Sequence, residues 1–152
     1  MARIRLYVEH PLGPAQRVPL SRDQAHYLFG VMRLVPGDSV LLFNGTAGEW
    51  RAEVVEAGKK AGALACVEQT RDQTTPPDLW LMCAPIRKER MSFLIEKAVE
   101  MGAGRIVVVQ TEYTQDAKRV RQDKLQAIAI EAAEQCECVW VPEVTEVQKL
   151  GP

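Results

Sequence analysis

The sequence predicts two unlike parts in one chain, a small β-barrel with one helix followed by an α/β segment. Three observations carry this. The first seventy or so residues hold several short strand patterns, closely spaced around a single helical pattern. The stretch EQTRDQTTPPD, Glu68 to Asp78, is polar and ends in a double proline, which reads as a linker. Beyond it an apolar run, an amphipathic helix and a second apolar run follow in βαβ order. The predicted division is therefore a barrel over 1–72, a linker over 73–78 and an α/β part over 79–152.

In the first part, Arg3 to Val8 alternate, with Ile4, Leu6 and Val8 on one face and Arg3, Arg5 and Tyr7 on the other. This predicts a half-buried strand with a basic outer face. Pro11, Gly13 and Pro14 mark a loop before a short strand around Val18 to Leu20. Ser21 with Gln24 three residues on is a capping box, and Ala25, Leu28, Phe29 and Met32 continue at helical spacing, so a helix is expected from about Arg22 to Arg33. Pro36-Gly37-Asp38 turns into the strand SVLLF, Ser39 to Phe43, and Asn44-Gly45 signals a hairpin into a strand from Glu49 to Val55. Another strand is expected over Ala63 to Val67.

The second part centres on PIRKERMSFLIEKAVEMG, Pro85 to Gly102. Met91, Leu94, Ile95 and Ala98 fall at i, i+3, i+4 and i+7, one buried helical stripe, and Gly102 stands where a left-handed cap would end it. The flanking runs Leu79 to Ala84 and Ile106 to Val109 are apolar on both faces, as interior strands of a parallel sheet are. A polar stretch with Lys118, Arg119 and Arg121 precedes a second helix, whose Leu125, Ile128, Ala129, Ala132 and Cys136 share a face. Val139 to Val141 predicts one more strand before Pro142. Arg87, Lys88 and Arg90 lie between the first strand's carboxyl end and the helix's first turn, where positive charge opposes the helix dipole. Two readings stand: an anion site at the sheet's carboxyl edge, suited to a phosphate backbone, or a solvated charged turn.

Composition narrows the classes. Charged residues make up 26% and hydrophobic ones 47% of the 152 residues, the balance of a globular protein. A formal net charge of -1 confines any nucleic-acid site to a local patch. No apolar run nears the roughly 18 residues of a membrane span and the amino terminus lacks a signal peptide's apolar core, so no membrane partner and a cytoplasmic location are expected. Cys66, Cys83, Cys136 and Cys138 include no C-x-x-C pair, and with only His10 and His26 beside them no metal site is expected. Cys136-x-Cys138 reads either as packed thiols or as a redox or soft-metal pair.

The order of motifs, QAHYLFGVMRLVPGD, LFNGTAGEW, APIRKERMSFLIEKAVEMGAGRIVVV and AIAIEAAEQ followed by VPEV, resembles the bacterial 16S ribosomal RNA uridine-N3 methyltransferases of the RsmE family, in the SPOUT (trefoil-knot) class. The resemblance covers nearly the whole chain. It implies an N-terminal PUA-like RNA-binding β-barrel followed by the N-terminal portion of a SPOUT methyltransferase domain, with S-adenosylmethionine as cofactor. The implied partners are 16S rRNA or the small ribosomal subunit, and a second copy in a homodimer. It places His26, Arg33, Arg87, Lys88, Arg90 and Lys97 on the RNA-facing surface, to which the basic strand face adds Arg3 and Arg5. His26 also reads as a capping or packing residue.

Many members of the resembled family carry arginines at the positions of Tyr113 and Cys138. The family's Gly-rich cofactor loop and knot-threading segment are expected beyond Pro152, so cofactor-binding residues are not assigned and the 152-residue chain is expected to be inactive alone. Methylating uracil N3 passes close to an anion, which positive side chains near the uracil oxygens would stabilise; one donor in such a site is worth about 2.7–4 kcal/mol. Arg87, Lys88 and Arg90 are the candidates for holding RNA there, and no general base is assignable. An RNA-binding module without catalysis is the alternative function, and an unrelated two-domain α/β protein is a third reading.

Overall fold

Five strands pair into one sheet in the first of two units, Met1–Thr74. They are β1 (Arg5–Tyr7), β2 (Arg17–Pro19), β3 (Ser39–Phe43), β4 (Glu49–Ala57) and β5 (Gly62–Arg71), in spatial order β1-β3-β4-β5-β2. All pairings are antiparallel except β1 with β3. The computed structural model describes residues 4–114, 117 and 120–150. Period-two alternation sends Val40 and Leu42, Trp50, Ala52 and Val54, and Leu64 and Cys66 into one core with Leu6, Val18 and Leu28. Leu28, Leu42 and Leu64 are fully buried, each contributing about 1.5–3 kcal/mol.

The hairpin at Asn44 is present, with Asn44 Oδ1 accepting from the backbone N–H of Thr46 and Ala47 at 3.0 and 2.9 Å. β5 runs on through Arg71, into the polar stretch expected to be linker. Its exposed residues are held by cross-strand partners: Glu68 accepts from Arg51 Nε at 2.8 Å, and Thr70 donates to Glu49 Oε1 at 2.9 Å.

The Ser21 capping box forms as the spacing requires, and opens α1 (Arg22–Ala25). The helix then changes register. His26–Val31 is a π-helical segment, closed by Met32 N–H donating to Tyr27 O at 2.9 Å. Arg33 follows with φ +57, and Leu34 N–H reaches back to Leu28 O at 2.9 Å. Arg33 thus fills the left-handed capping position that glycine usually takes. The expectation of a regular helix from about Arg22 to Arg33 is corrected: the widened turn and the left-handed Arg33 break the helical repeat, so the seven residues from His26 to Arg33 do not return to one face.

The second unit, Thr75–Pro152, is built on β6 (Trp80–Cys83), α2 (Lys88–Glu100), β7 (Arg105–Gln110), α3 (Gln122–Gln135), β8 (Glu143–Val144) and β9 (Gln148–Lys149). β7 is central, with β6 parallel on one side and β8 and β9 on the other. α2 buries Met91, Ile95 and Val99 and packs on α3. It ends as the glycine predicts: Gly102 has φ +86, its N–H donates to Val99 O at 3.0 Å, and Ala103 N–H donates to Ala98 O at 2.9 Å, a Schellman cap.

Two strand expectations are corrected. Among the described residues β6 is an edge strand, with Trp80 and Met82 exposed at 56% and 58%, because β7 takes the central place between β6 and β8. Val139 to Val141 is irregular, and the strand falls at Glu143–Val144 instead. There α3 supplies the missing partners: Gln126 Nε2 donates to Pro142 O at 3.1 Å, its Oε1 accepts from Val144 N–H at 2.9 Å, and Gln122 Nε2 donates to Val144 O at 2.7 Å.

Candidate nucleic-acid interface

A cleft of about 830 Å³ opens in the second unit where the chain leaves the carboxyl ends of β6 and β7. The segment after β6 brings Arg87 and Lys88 to the start of α2, with Arg90 in its first turn. The turn after β7 brings Thr111, Tyr113 and Thr114, and the start of α3 brings Arg121 and Lys124. Met91, Leu125 and Ile128 supply an apolar lining. Among the described residues lining it, five are cationic and none is acidic or histidine.

Two helices therefore begin at one cleft, each with an arginine as N-cap whose side chain makes no capping bond. The first N–H groups of a helix have no partner within it and carry the positive end of its dipole. Cations placed at that end are unfavourable there unless an anion lies near them, and helix N-termini are suited to phosphate. Among the described residues Arg87, Lys88, Arg90 and Lys124 form no ion pair with a carboxylate, whereas Arg121 donates to Asp123 at 3.0 and 2.8 Å. That guanidinium holds the Asp123 carboxyl below its usual range.

The other predicted RNA-facing residues fare differently. Arg3 lies outside the described residues. Arg5 does not form a basic outer face: it is buried, its Nε donates to Glu49 Oε2 at 2.7 Å, and its guanidinium lies 4.5 Å from the centre of the Phe43 ring. The side chains of Phe43 on β3 and Glu49 on β4 cover the arginine that the alternation alone leaves open. His26 and Arg33 are exposed on the first unit. The His26 ring lies over Gly30, where a Cβ would stand 2.9 Å from Nδ1. Lys97 is not among the residues lining the cleft; it is nine residues along α2 from Lys88, about 13 Å at 1.5 Å per residue. Hydrogen bonds to Glu100 and then Glu96 hold its ammonium above the usual range.

Sequence reading missed Arg121, Lys124 and the Thr111–Thr114 turn as parts of the site. The signal was present, since strand, polar turn and a helix opening on basic residues occur twice in succession. The cysteines lie apart from the cleft's lining. Burial pushes the Cys66 and Cys83 thiols up, which keeps them protonated, and the sulfurs of Cys136 and Cys138 lie 3.3 Å apart without a disulfide bond.

Residues 73–151, slightly more than half of the chain, match the model of the RNA methyltransferase domain family. The chain belongs to that family. Residues 20–64 match a second model, the RNA methyltransferase PUA domain. The chain is 31% identical over 139 residues to the Ribosomal RNA small subunit methyltransferase E of Rickettsia conorii, covering 91% of this chain and 57% of that protein. It is 33% identical over 138 residues to the protein of the same name from Synechocystis, covering 88% and 44%. Among solved structures, a Legionella pneumophila protein in complex with the cofactor SAM superposes with a TM-score of 0.87 at 25% identity, over 98% of this chain and 64% of that one. Ribosomal RNA small subunit methyltransferase E from Neisseria gonorrhoeae, bound to S-adenosyl methionine, gives 0.85 at 24%, over 97% and 62%, a likeness of fold. This RNA methyltransferase family member thus spans less than two thirds of the length of these relatives. No helix among its described residues is long and apolar enough to cross a membrane.

Proposed function

We propose that this chain supplies the RNA-holding cleft for S-adenosylmethionine-dependent methylation of N3 of a uridine in the 16S rRNA of the small ribosomal subunit. The observation that carries the reading is the convergence of five cations and two helix N-termini on one cleft with no acidic residue among its described lining. A phosphate backbone satisfies the unpaired charges, and a uracil losing its N3 proton develops negative charge that nearby cations stabilise. The names of the relatives, and the SAM bound in two structural neighbours, support the reaction class. In this reading residues 1–72 are a PUA-like RNA-binding barrel, 73–78 a linker and 79–152 part of a SPOUT knotted domain. The protein works in ribosome biogenesis in the cytoplasm, as a homodimer.

The cofactor itself does not fit this cleft. S-adenosylmethionine is a sulfonium cation, and a lining of five cations without an acidic residue among those described repels it. The cleft is therefore assigned to RNA alone, and no step of the reaction is derived through the cofactor. The same observation favours a second reading, an RNA-binding module without catalysis.

A domain exchange separates the two. Residues 73–151 of this chain replace the corresponding stretch of the Rickettsia conorii relative, and the chimera is given small ribosomal subunits and radiolabelled S-adenosylmethionine. Methyl incorporation at uridine N3 supports the first reading. Salt-dependent RNA binding without incorporation supports the second, and a chimera that folds but does not bind RNA overturns both.

A further inference from the structure

The cleft's cations account for phosphate binding, but not for the aromatic ring at its edge. Tyr113 lines the cleft, yet is 86% exposed, the most exposed of the large apolar and aromatic side chains among the described residues. Isolated exposed side chains are ordinary on a protein surface. This one is held in place. The turn that carries it is tied by Thr111 N–H donating to Thr114 Oγ1 at 2.8 Å, by the two threonine hydroxyls at 2.8 Å, and by Thr114 N–H donating to Thr111 O at 3.2 Å. The backbone is thus fixed on both sides of Tyr113, while its ring lies almost bare at a cleft that Arg87, Arg121 and Lys124 also line.

We infer that Tyr113 is a base-stacking platform, which makes the cleft a site for an unpaired stretch of RNA rather than for a duplex. The inference rests on the cleft being an RNA site. An aromatic ring beside a cationic groove is the arrangement that holds single strands: cations follow the phosphates and the ring takes the face of a base. In a duplex the bases are stacked on each other and offer no face, so the ring gains a partner only from a single strand, a loop or a bulge. A uridine extruded from such a stretch presents its N3 edge, whereas a paired uridine has that edge occupied.

The test measures affinity for three probes: a single-stranded uridine-containing RNA, a duplex of equal length, and inorganic polyphosphate, which has charge but no bases. Tyr113→Ala weakens single-strand binding by about 5- to 150-fold, the range measured for losing one stacked base. It leaves polyphosphate binding within about twofold, while Tyr113→Phe keeps the ring and the affinity. Equal loss on RNA and polyphosphate, no loss on RNA, or a Tyr113→Phe variant as weak as Tyr113→Ala overturns the stacking role. Arg87→Ala with Arg90→Ala serves as the control for the cleft. If this double variant leaves both RNA and polyphosphate binding unchanged, the RNA cleft itself is wrong and the stacking role falls with it. If it weakens both and Tyr113→Ala weakens neither, only the stacking role falls.

Discussion

Arginine has opposite fates in the two units. On the five-stranded sheet of the first unit every strand arginine is matched to a carboxylate: Arg5 and Arg71 to Glu49, Arg17 to Glu56, and Arg51 to Glu53 and Glu68. In the cleft of the second unit Arg87, Lys88, Arg90 and Lys124 have no such match among the described residues, and all four stand at the N-cap or in the first turn of α2 or α3, where charge of that sign is unwelcome. The same side chains stabilise one unit and burden the other. The proposed RNA site rests on cations left unpaired against the local field, whereas cations paired within a sheet serve the fold.

Removing charge partners breaks the comparison most sharply at Glu49. Both side chains of the Arg5–Glu49 pair are 5% exposed, so Glu49→Ala takes the carboxylate away from a buried guanidinium, and urea unfolding should show a loss of about 3–5 kcal/mol. Arg17→Ala removes a pair whose side chains are more than 60% exposed, and should cost no more than about 1 kcal/mol. Equal losses in the two variants would contradict the account of the sheet.

Asp123→Asn sharpens the other side. Asp123 is held below the usual carboxylate range, so it stays ionised at neutral pH and keeps Arg121 partly neutralised; only acid below the unfolded value near 3.9 would open the pair. The substitution frees Arg121 at pH 7. RNA affinity should rise and its log-log salt slope steepen by up to about 0.7, one further phosphate. A weaker complex would show that Asp123 positions Arg121 for RNA instead.

Arg33→Gly is expected to have the smallest effect on stability. Relief of the left-handed strain, about 1–2 kcal/mol, is offset by the roughly 0.5–1 kcal/mol of extra freedom that glycine has in the unfolded chain. The midpoint of unfolding should stay level or rise slightly while RNA affinity falls. Unchanged affinity would remove Arg33 from the RNA surface.

Local signals were legible in the sequence wherever the partners are near in the chain. The Ser21–Gln24 capping box, the Asn44 hairpin and the Gly102 cap all form between residues a few positions apart. The π-helical segment left no such mark, since apolar residues at Leu28, Phe29 and Met32 suit either helical register. Burial of Arg5 depends on Phe43 and Glu49 arriving from two other strands, and the edge position of β6 depends on which strand takes the sheet's centre. Half of the cleft was legible, because Arg87, Lys88 and Arg90 sit within four residues. The repeated strand, polar turn and basic helix start pointed to Arg121 and Lys124, but they join the others through the packing of α2 on α3, which that repeat does not specify.

The most direct measurement of the central claim is RNA affinity against salt concentration, for the wild-type chain and for Arg87→Ala with Arg90→Ala. The slope should become shallower by about 1.4, two phosphates at roughly 0.7 each on a single strand, with affinity reduced at every salt concentration. The unfolding midpoint should hold or rise, because two cations leave the positive end of α2. An unchanged slope and affinity in a folded double variant would contradict the assignment of this cleft to RNA.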